Sequence, residues 1–171
     1  MIVAQKLRKQ NTPAYIIYMF QVEDIIRAYG LDVERICNEY LPRFGYDKEQ
    51  MKQAREWYEA LVRMMHEEGK ETSGNVRVVQ NTLDLLEEHH QELLADKDEQ
   101  DYRAAYYRAL PHIVALRTQG NNKAKHEMEN CIDALYGATL LKMKGKEISS
   151  ETQAALKPIG ELLRLSEEKR K

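Results

Sequence analysis

AYIIYMFQVEDIIRAY, residues 14–29, is the stretch whose reading decides the fold. From Ala14 to Phe20 it is apolar or aromatic on every side of a helical wheel, whereas a helix at a protein surface shows only a stripe. Such a segment needs neighbours all round it. Polar residues enter from Gln21, with Glu23, Asp24 and Arg27 collecting on one side while Val22, Ile25, Ile26 and Tyr29 stay on the other. This predicts a central helix whose C-terminal half reaches the surface. Thr12 and Pro13 fit its N-cap and first helical position, and Gly30 fits its end.

Working outward, Asp32 caps a short second helix through Ile36, Cys37 and Tyr40, stopped by Pro42. Asp47 with Gln50 three residues on is a capping-box variant, opening a helix in which Met51, Ala54, Tyr58, Leu61 and Met65 recur at steps of three and four. Gly69 closes it. After the loop KETSGN (70–75), Val76, Val79, Leu83, Leu86, His90 and Leu93 keep the same rhythm in a fourth helix. Asp98 caps a fifth, with Tyr102, Tyr106, Ala109, Ile113 and Leu116 inward and a kink expected near Ala109 and Leu110 because Pro111 removes a backbone donor. Gly120, Asn121 and Asn122 make the next turn. A sixth helix follows with Ala124, Met128, Cys131, Leu135 and Ala138 inward, and Gly145 stops it. Ser150 with Gln153 reads as a capping box for a last helix carrying Leu156, Ile159 and Leu163, which Pro158 and Gly160 should bend or interrupt.

No stretch alternates apolar and polar residues long enough for a half-buried strand, so the chain is all-α. Several helices have similar lengths of about 20 residues, about 30 Å each, and short connections join them. The expectation is one domain spanning residues 1–171, an antiparallel bundle of about six or seven helices around the central N-terminal helix. A chain this long buries about 70% of the surface its unfolded form exposes, enough for a core without disulfides or metal.

Cys37 and Cys131 lie far apart and form no CxxC or Cys/His ligand spacing. A reducing cytoplasm is therefore expected. MIVAQKLRKQ at the start has the charge of a signal-peptide n-region, but the apolar run after it is short, lacks an A-x-A site and leads straight into Glu23 and Asp24. No apolar run approaches the roughly 18 to 20 residues that cross a bilayer. The formal net charge is −2, leaving no overall field to steer the chain onto phosphate backbones or anionic lipid. Basic runs at Lys6 to Lys9, at Lys142, Lys144 and Lys146, and at Lys169 to Lys171 sit at chain ends or helix C-termini, where cations complement the helix dipole. Neither nucleic acid nor membrane is expected as a partner.

The run MIVAQKLRKQNTPAYIIYMFQVEDIIRAY, with AAYYRALPHIVALR and ALYGATLLKMKGKEISSET, resembles an uncharacterised family of gut anaerobic bacteria, a domain of unknown function of about this length. The resemblance covers nearly the whole chain. It implies an all-helical, cytoplasmic protein and brings no known activity, cofactor or catalytic residue.

The strongest metal-like signal is Glu87-Glu88-His89-His90, a single Glu-x-x-His. Di-iron carboxylate bundles use two such pairs plus a Glu from each of two other helices. His66, His112 and His126 lack a Glu three residues earlier, and His126 falls on the outermost position of its helix. An inward His90 bonded to Glu87 or a tyrosine is the expected outcome. Paired acids at Glu56 and Glu59 and at Asp84 and Glu87 are similar in type to the magnesium ligands of all-helical nucleoside-triphosphate pyrophosphohydrolases, since hard Mg²⁺ favours clustered carboxylates. Their phases oppose it: Glu56, Glu59 and Asp84 lie opposite the apolar stripes. The order Asp-x-x-Glu also reverses that class's last motif element.

Ten tyrosines stand against two phenylalanines. A buried tyrosine needs a partner for its hydroxyl, whereas interfaces and polar pockets use the residue freely, so Tyr18, Tyr102, Tyr106 and Tyr107 mark a candidate groove or self-association face. No Ser/His/Asp order, Gly-rich phosphate loop or dinucleotide fingerprint is present. The function expected is a non-catalytic helical interaction module without cofactor, most simply a homodimer, with an unknown protein partner as a further option. The runner-up is a metal-dependent enzyme using Glu87 and His90; a third is a small-ligand carrier with a tyrosine-lined pocket near Tyr18 and Tyr106.

Overall fold

The computed structural model describes residues 2–119 and 125–171, the side chains of Ile2 and Gln119 aside. The helices are α1 (Ile2–Gln10), α2 (Thr12–Ala28), α3 (Val33–Arg35), α4 (Lys48–Glu67), α5 (Arg77–Ala95), α6 (Gln100–Gln119), α7 (Glu127–Met143) and α8 (Ser150–Arg170). A π-helical turn (Ile36–Tyr40) and a 3₁₀ turn (Leu41–Phe44) follow α3. The described residues contain no strand, so the protein is all-α. The expected turn at Gly120, Asn121 and Asn122 and the inward Ala124 lie outside the described residues.

Local sequence signals set most helix ends. Asp32 caps α3 by accepting from the Arg35 N–H, and Asp47 and Gln50 form a reciprocal capping box on α4. Gly30, Gly45, Gly69 and Gly145 all take positive φ where a helix or turn closes, a conformation that a Cβ would strain. The opening residues form a short helix, α1, that the sequence reading did not include. Three helix ends differ from expectation. Asn11, not Thr12, caps α2: its Oδ1 accepts from Ala14 N–H at 3.0 Å. α6 starts at Gln100, which moves its cap from Asp98 to Glu99. At α8 the cap is Ser149, whose hydroxyl accepts from Thr152 N–H at 3.1 Å, one residue before the expected Ser150. Pro111 and Pro158 sit within α6 and α8, and neither helix is interrupted there.

The residues gather into two compact units. The first comprises Met1–Gln10 and Tyr18–Asn81; the second comprises Asn11–Ile17 and Thr82–Lys171. In the first, Met19, Val22, Ile26, Ile36, Leu41, Ala54, Tyr58, Leu61 and Met65 form the core. α2 does not present Glu23 to water, as its wheel implied. Glu23 is 0% exposed, and its carboxylate accepts from Val76 N–H and from the Asn75 side chain, both at 2.7 Å. One turn on, the Arg27 guanidinium donates to the Lys70 and Gly74 carbonyls. Together they tie the loop 70–75 to α2. In the second unit α6 packs on α8 and α7, and α7 on α8. Leu83, Leu86, Tyr102, Ala109, Ile113, Met128, Ile132, Ile159 and Leu162 supply its core.

Candidate functional site

Among the described residues, a buried polar constellation that includes a histidine lies in the second unit and grows out of the α5 stripe. Leu83, Leu86, His90 and Leu93 are all buried, as their spacing requires, which drives the His90 imidazole among apolar side chains where each nitrogen needs a partner. Nδ1 lies 2.7 Å from the Tyr102 hydroxyl on α6, and Nε2 lies 3.1 Å from Oε2 of Glu127, the first residue of α7. The Tyr106 hydroxyl donates to the other oxygen of Glu127 at 2.9 Å. A carboxylate only accepts, so Nε2 carries the hydrogen of the His90–Glu127 bond. The hydrogen bond from His90 holds Glu127 below the usual carboxylate range in spite of its partial burial. Burial pushes Tyr106 up to about 12 and Tyr102 further still.

Glu87 leaves this group. Its carboxylate accepts from Met128 N–H at 3.0 Å and from the Gln91 side chain at 2.8 Å. It thereby caps α7, whose N-cap residue, His126, contributes no side-chain bond. Glu87 and His90 share a helix and both meet the start of α7, but through different partners, Glu87 taking the Met128 N–H and His90 the Glu127 carboxylate. Among the described residues no group of three or more His, Cys, Asp or Glu side chains is placed to hold a metal ion. His126 is exposed, as its phase predicts, and so are Glu56, Glu59 and Asp84. His66 is exposed as well, while His112 is half-buried. The Cys131 thiol is buried, and burial with the nearby charges of Glu127 and Glu87 raises it to about 12. It is a packing residue, not a nucleophile.

The structure brings Tyr102 and Tyr106 together around His90, with ring centroids 5.8 and 5.2 Å from the imidazole. Tyr107 is 65% exposed. Tyr18 belongs to the first unit, where its ring lies 6.5 Å from Trp57 and burial raises its hydroxyl to about 12. A cleft of about 300 Å³ opens between α6, α7 and α8, with Leu116, Ala134, Ala155 and Ile159 in its walls and His112 and Glu151 among its polar lining. No tyrosine is among the residues that line this cleft.

A family model described as Domain of unknown function (DUF4924) matches residues 1–170. The chain belongs to the DUF4924 family. No curated protein and no solved structure matches it. Membership in DUF4924 brings no residue roles, so the chemistry rests on the geometry of this chain. That geometry is a closed hydrogen-bond network: the two nitrogens of His90 and both oxygens of Glu127 are engaged internally. One member of the site escaped the sequence: Glu127 sits at a helix start, where an acid is unremarkable. Of the two partners expected for His90, Glu87 or a tyrosine, the structure has the tyrosine, Tyr102, while Glu87 bonds to Met128, 41 residues away. No described helix is long and apolar enough to cross a membrane.

Proposed function

We propose that this DUF4924 chain is a non-catalytic helical module that acts through protein contacts and pairs with a second copy of itself. The observation that supports it is the placement of large apolar side chains on the solvent side of the second unit: Tyr107 and Val114 on α6 and Leu141 and Met143 on α7 are 65%, 48%, 39% and 62% exposed. The polar constellation, by contrast, is consumed in internal bonds. Patches of this kind mark interaction surfaces more often than chemistry. A cytoplasmic setting without cofactor, nucleic acid or membrane belongs to the same reading, in keeping with two free, buried thiols.

A small-ligand carrier is the second reading, favoured by the cleft between α6, α7 and α8, whose 300 Å³ lies at the lower end of ligand-pocket sizes. One experiment separates the two. Size exclusion with light scattering should give a mass near twice 20.0 kDa. A monomer carrying a bound small molecule in native mass spectrometry would move the assignment to the carrier.

A further inference from the structure

Each of the three helices around the cleft lines it with an alanine: Ala115 on α6, Ala134 on α7 and Ala155 on α8. A leucine at any of these positions would stand in the space that the three methyl groups leave open. The 300 Å³ takes about ten water-sized groups at about 30 Å³ each. Its inner side is closed by Ile159, 1% exposed, and Leu116 on its wall is half-buried. Late α6 shares the cleft with early α8, while Lys169 near the end of α8 pairs with Asp101 near the start of α6 at 3.0 Å, so the two helices run antiparallel. In that register His112 lies level with the third turn of α8, where Ile159 stands, and Glu151 and Thr152 occupy the first turn. The end of the cleft that holds the acid is therefore separate from the end that holds the imidazole. From Glu151 to Ile159 is about 12 Å along the helix axis at about 1.5 Å per residue.

We infer that the cleft binds a small organic amine in its protonated form, with an apolar body of about ten non-hydrogen atoms against Leu116, Ala155 and Ile159 and its ammonium at Glu151. This names the ligand class of the carrier reading above and rests on it. Charge selects the class. Glu151 is the acid of the lining, no lysine or arginine lines the cleft with it, and among the described residues no ion pair engages its carboxylate. An acid in the first turn of a helix complements the dipole, which accounts for a glutamate at the start of α8. The dipole does not account for the apolar cleft that opens beside it, about 12 Å long and walled by one alanine from each helix. An organic carboxylate of the same size would bring like charge to Glu151, and a neutral alcohol would forgo the ion pair. Apolar walls with a single charged group at one end are the composition of a small-molecule site in which the body supplies affinity and the charge fixes orientation.

Proton–nitrogen NMR of the isotopically labelled full chain, titrated with phenylpropylamine, phenylpropanol and phenylpropionate, compares one apolar body carrying a cation, a neutral hydroxyl and an anion. The amine should shift the amides of Leu116, Ala134 and Ala155 and bind at least about threefold more tightly than the alcohol, the discrimination that a solvent-exposed ion pair supports, with the carboxylate weakest. Glu151→Gln should bring the amine down to the affinity of the alcohol. Ala155→Leu should abolish binding of all three; circular dichroism checks its fold, and Ala134→Leu, on a different helix, serves if it does not fold. An alcohol or carboxylate that binds at these amides as tightly as the amine, or an amine indifferent to Glu151→Gln, overturns the amine class and leaves the carrier reading standing. Amine binding that survives a folded leucine variant places the ligand elsewhere and overturns the site. No shift at the cleft with any of the three probes overturns this proposal and the carrier reading together.

Discussion

Replacing Glu23 separates two effects that point in opposite directions. Its carboxylate is fully buried and accepts two hydrogen bonds at 2.7 Å, one from the Val76 N–H at the start of α5 and one from the Asn75 side chain. Glu23→Ala removes both and leaves a donor on Val76, itself 0% exposed, without an acceptor. Orphaning a buried N–H costs about 1–3 kcal/mol and losing a helix cap about 0.5–2, largely the same loss counted twice; with the cavity left by the side chain, about 3 kcal/mol is expected. Glu23→Gln keeps the acceptor for Val76, and Asn75 is half-buried and can turn its amide to offer oxygen to the new NH₂. What glutamine loses is charge at a helix N-terminus, worth about 0.3–1 kcal/mol. What it gains is release from desolvation, the largest influence on Glu23, which holds its pKa above the ordinary value despite the bonds from Val76 and Asn75. The desolvation offset wins, so Glu23→Gln should change stability by under about 1 kcal/mol. The pH dependence carries the same sign. Between the ordinary carboxylate value and the raised folded one, the folded state holds the proton more tightly, so stability falls as pH rises through that window, and the glutamine variant should lack this slope. Urea titrations followed by circular dichroism at several pH values measure all three quantities. An alanine cost below about 1 kcal/mol, or a glutamine cost equal to the alanine one, would refute the assignment of Glu23 as a cap held by hydrogen bonds.

Ile16 is 0% exposed and its neighbour Ile17 is half-buried, so Ile16→Ala should cost about 2–5 kcal/mol and Ile17→Ala clearly less; equal losses would contradict the observed facing of α2. His90→Leu should cost about 2–4 kcal/mol in denaturant titrations, because it strands the Tyr102 hydroxyl and the Glu127 carboxylate, and a neutral outcome would show that the network adds nothing. Since Glu127 is held below its ordinary value, its contribution is present above the ordinary carboxylate range and is lost as pH falls through the lowered folded value; Glu127→Gln should flatten that acid limb. Cys131 should resist a thiol reagent in the native protein and react only on unfolding, and rapid native labelling would show that the α7 core opens.

Periodicity made the fold legible because each apolar stripe that it picked out on α4 and α5 is the buried side of a real helix. All six residues of the α5 stripe, from Val76 just before the helix to Leu93 within it, are buried, His90 included. Local caps were legible for the same reason: Asp32 and Asp47 bond to backbone three residues ahead, within the window that a sequence pattern covers. Where a second cap candidate stood next door, at Asn11 beside Thr12 and at Ser149 beside Ser150, the pattern alone could not choose, since both residues of each pair have the side-chain chemistry that a cap requires.

What stayed hidden is a second class of cap, supplied from far along the chain. Glu23 serves Val76 across 53 residues, Glu87 serves Met128 across 41, and Glu167 serves Thr12 across 155. Within each unit a buried carboxylate on one helix closes the exposed donors of another, which fixes both the entry point of the second helix and the sign of charge at its end. A faint signal exists. Four residues before each of these acids stands a buried apolar residue, Met19, Leu83 and Leu163, because the Cα–Cβ bonds of a helix tilt toward its N-terminus and residues four apart cover the same patch. Asp24, four residues after the buried Phe20, shares the pattern and is exposed. Its side chain is one methylene shorter and its oxygen takes the Arg27 guanidinium at 3.0 Å instead of a distant helix end. The pattern therefore narrows the choice to a few acids, and the reach of the side chain, with the position of the helix end it must meet, decides among them; only the second depends on tertiary structure, and that is the part that a single sequence withholds.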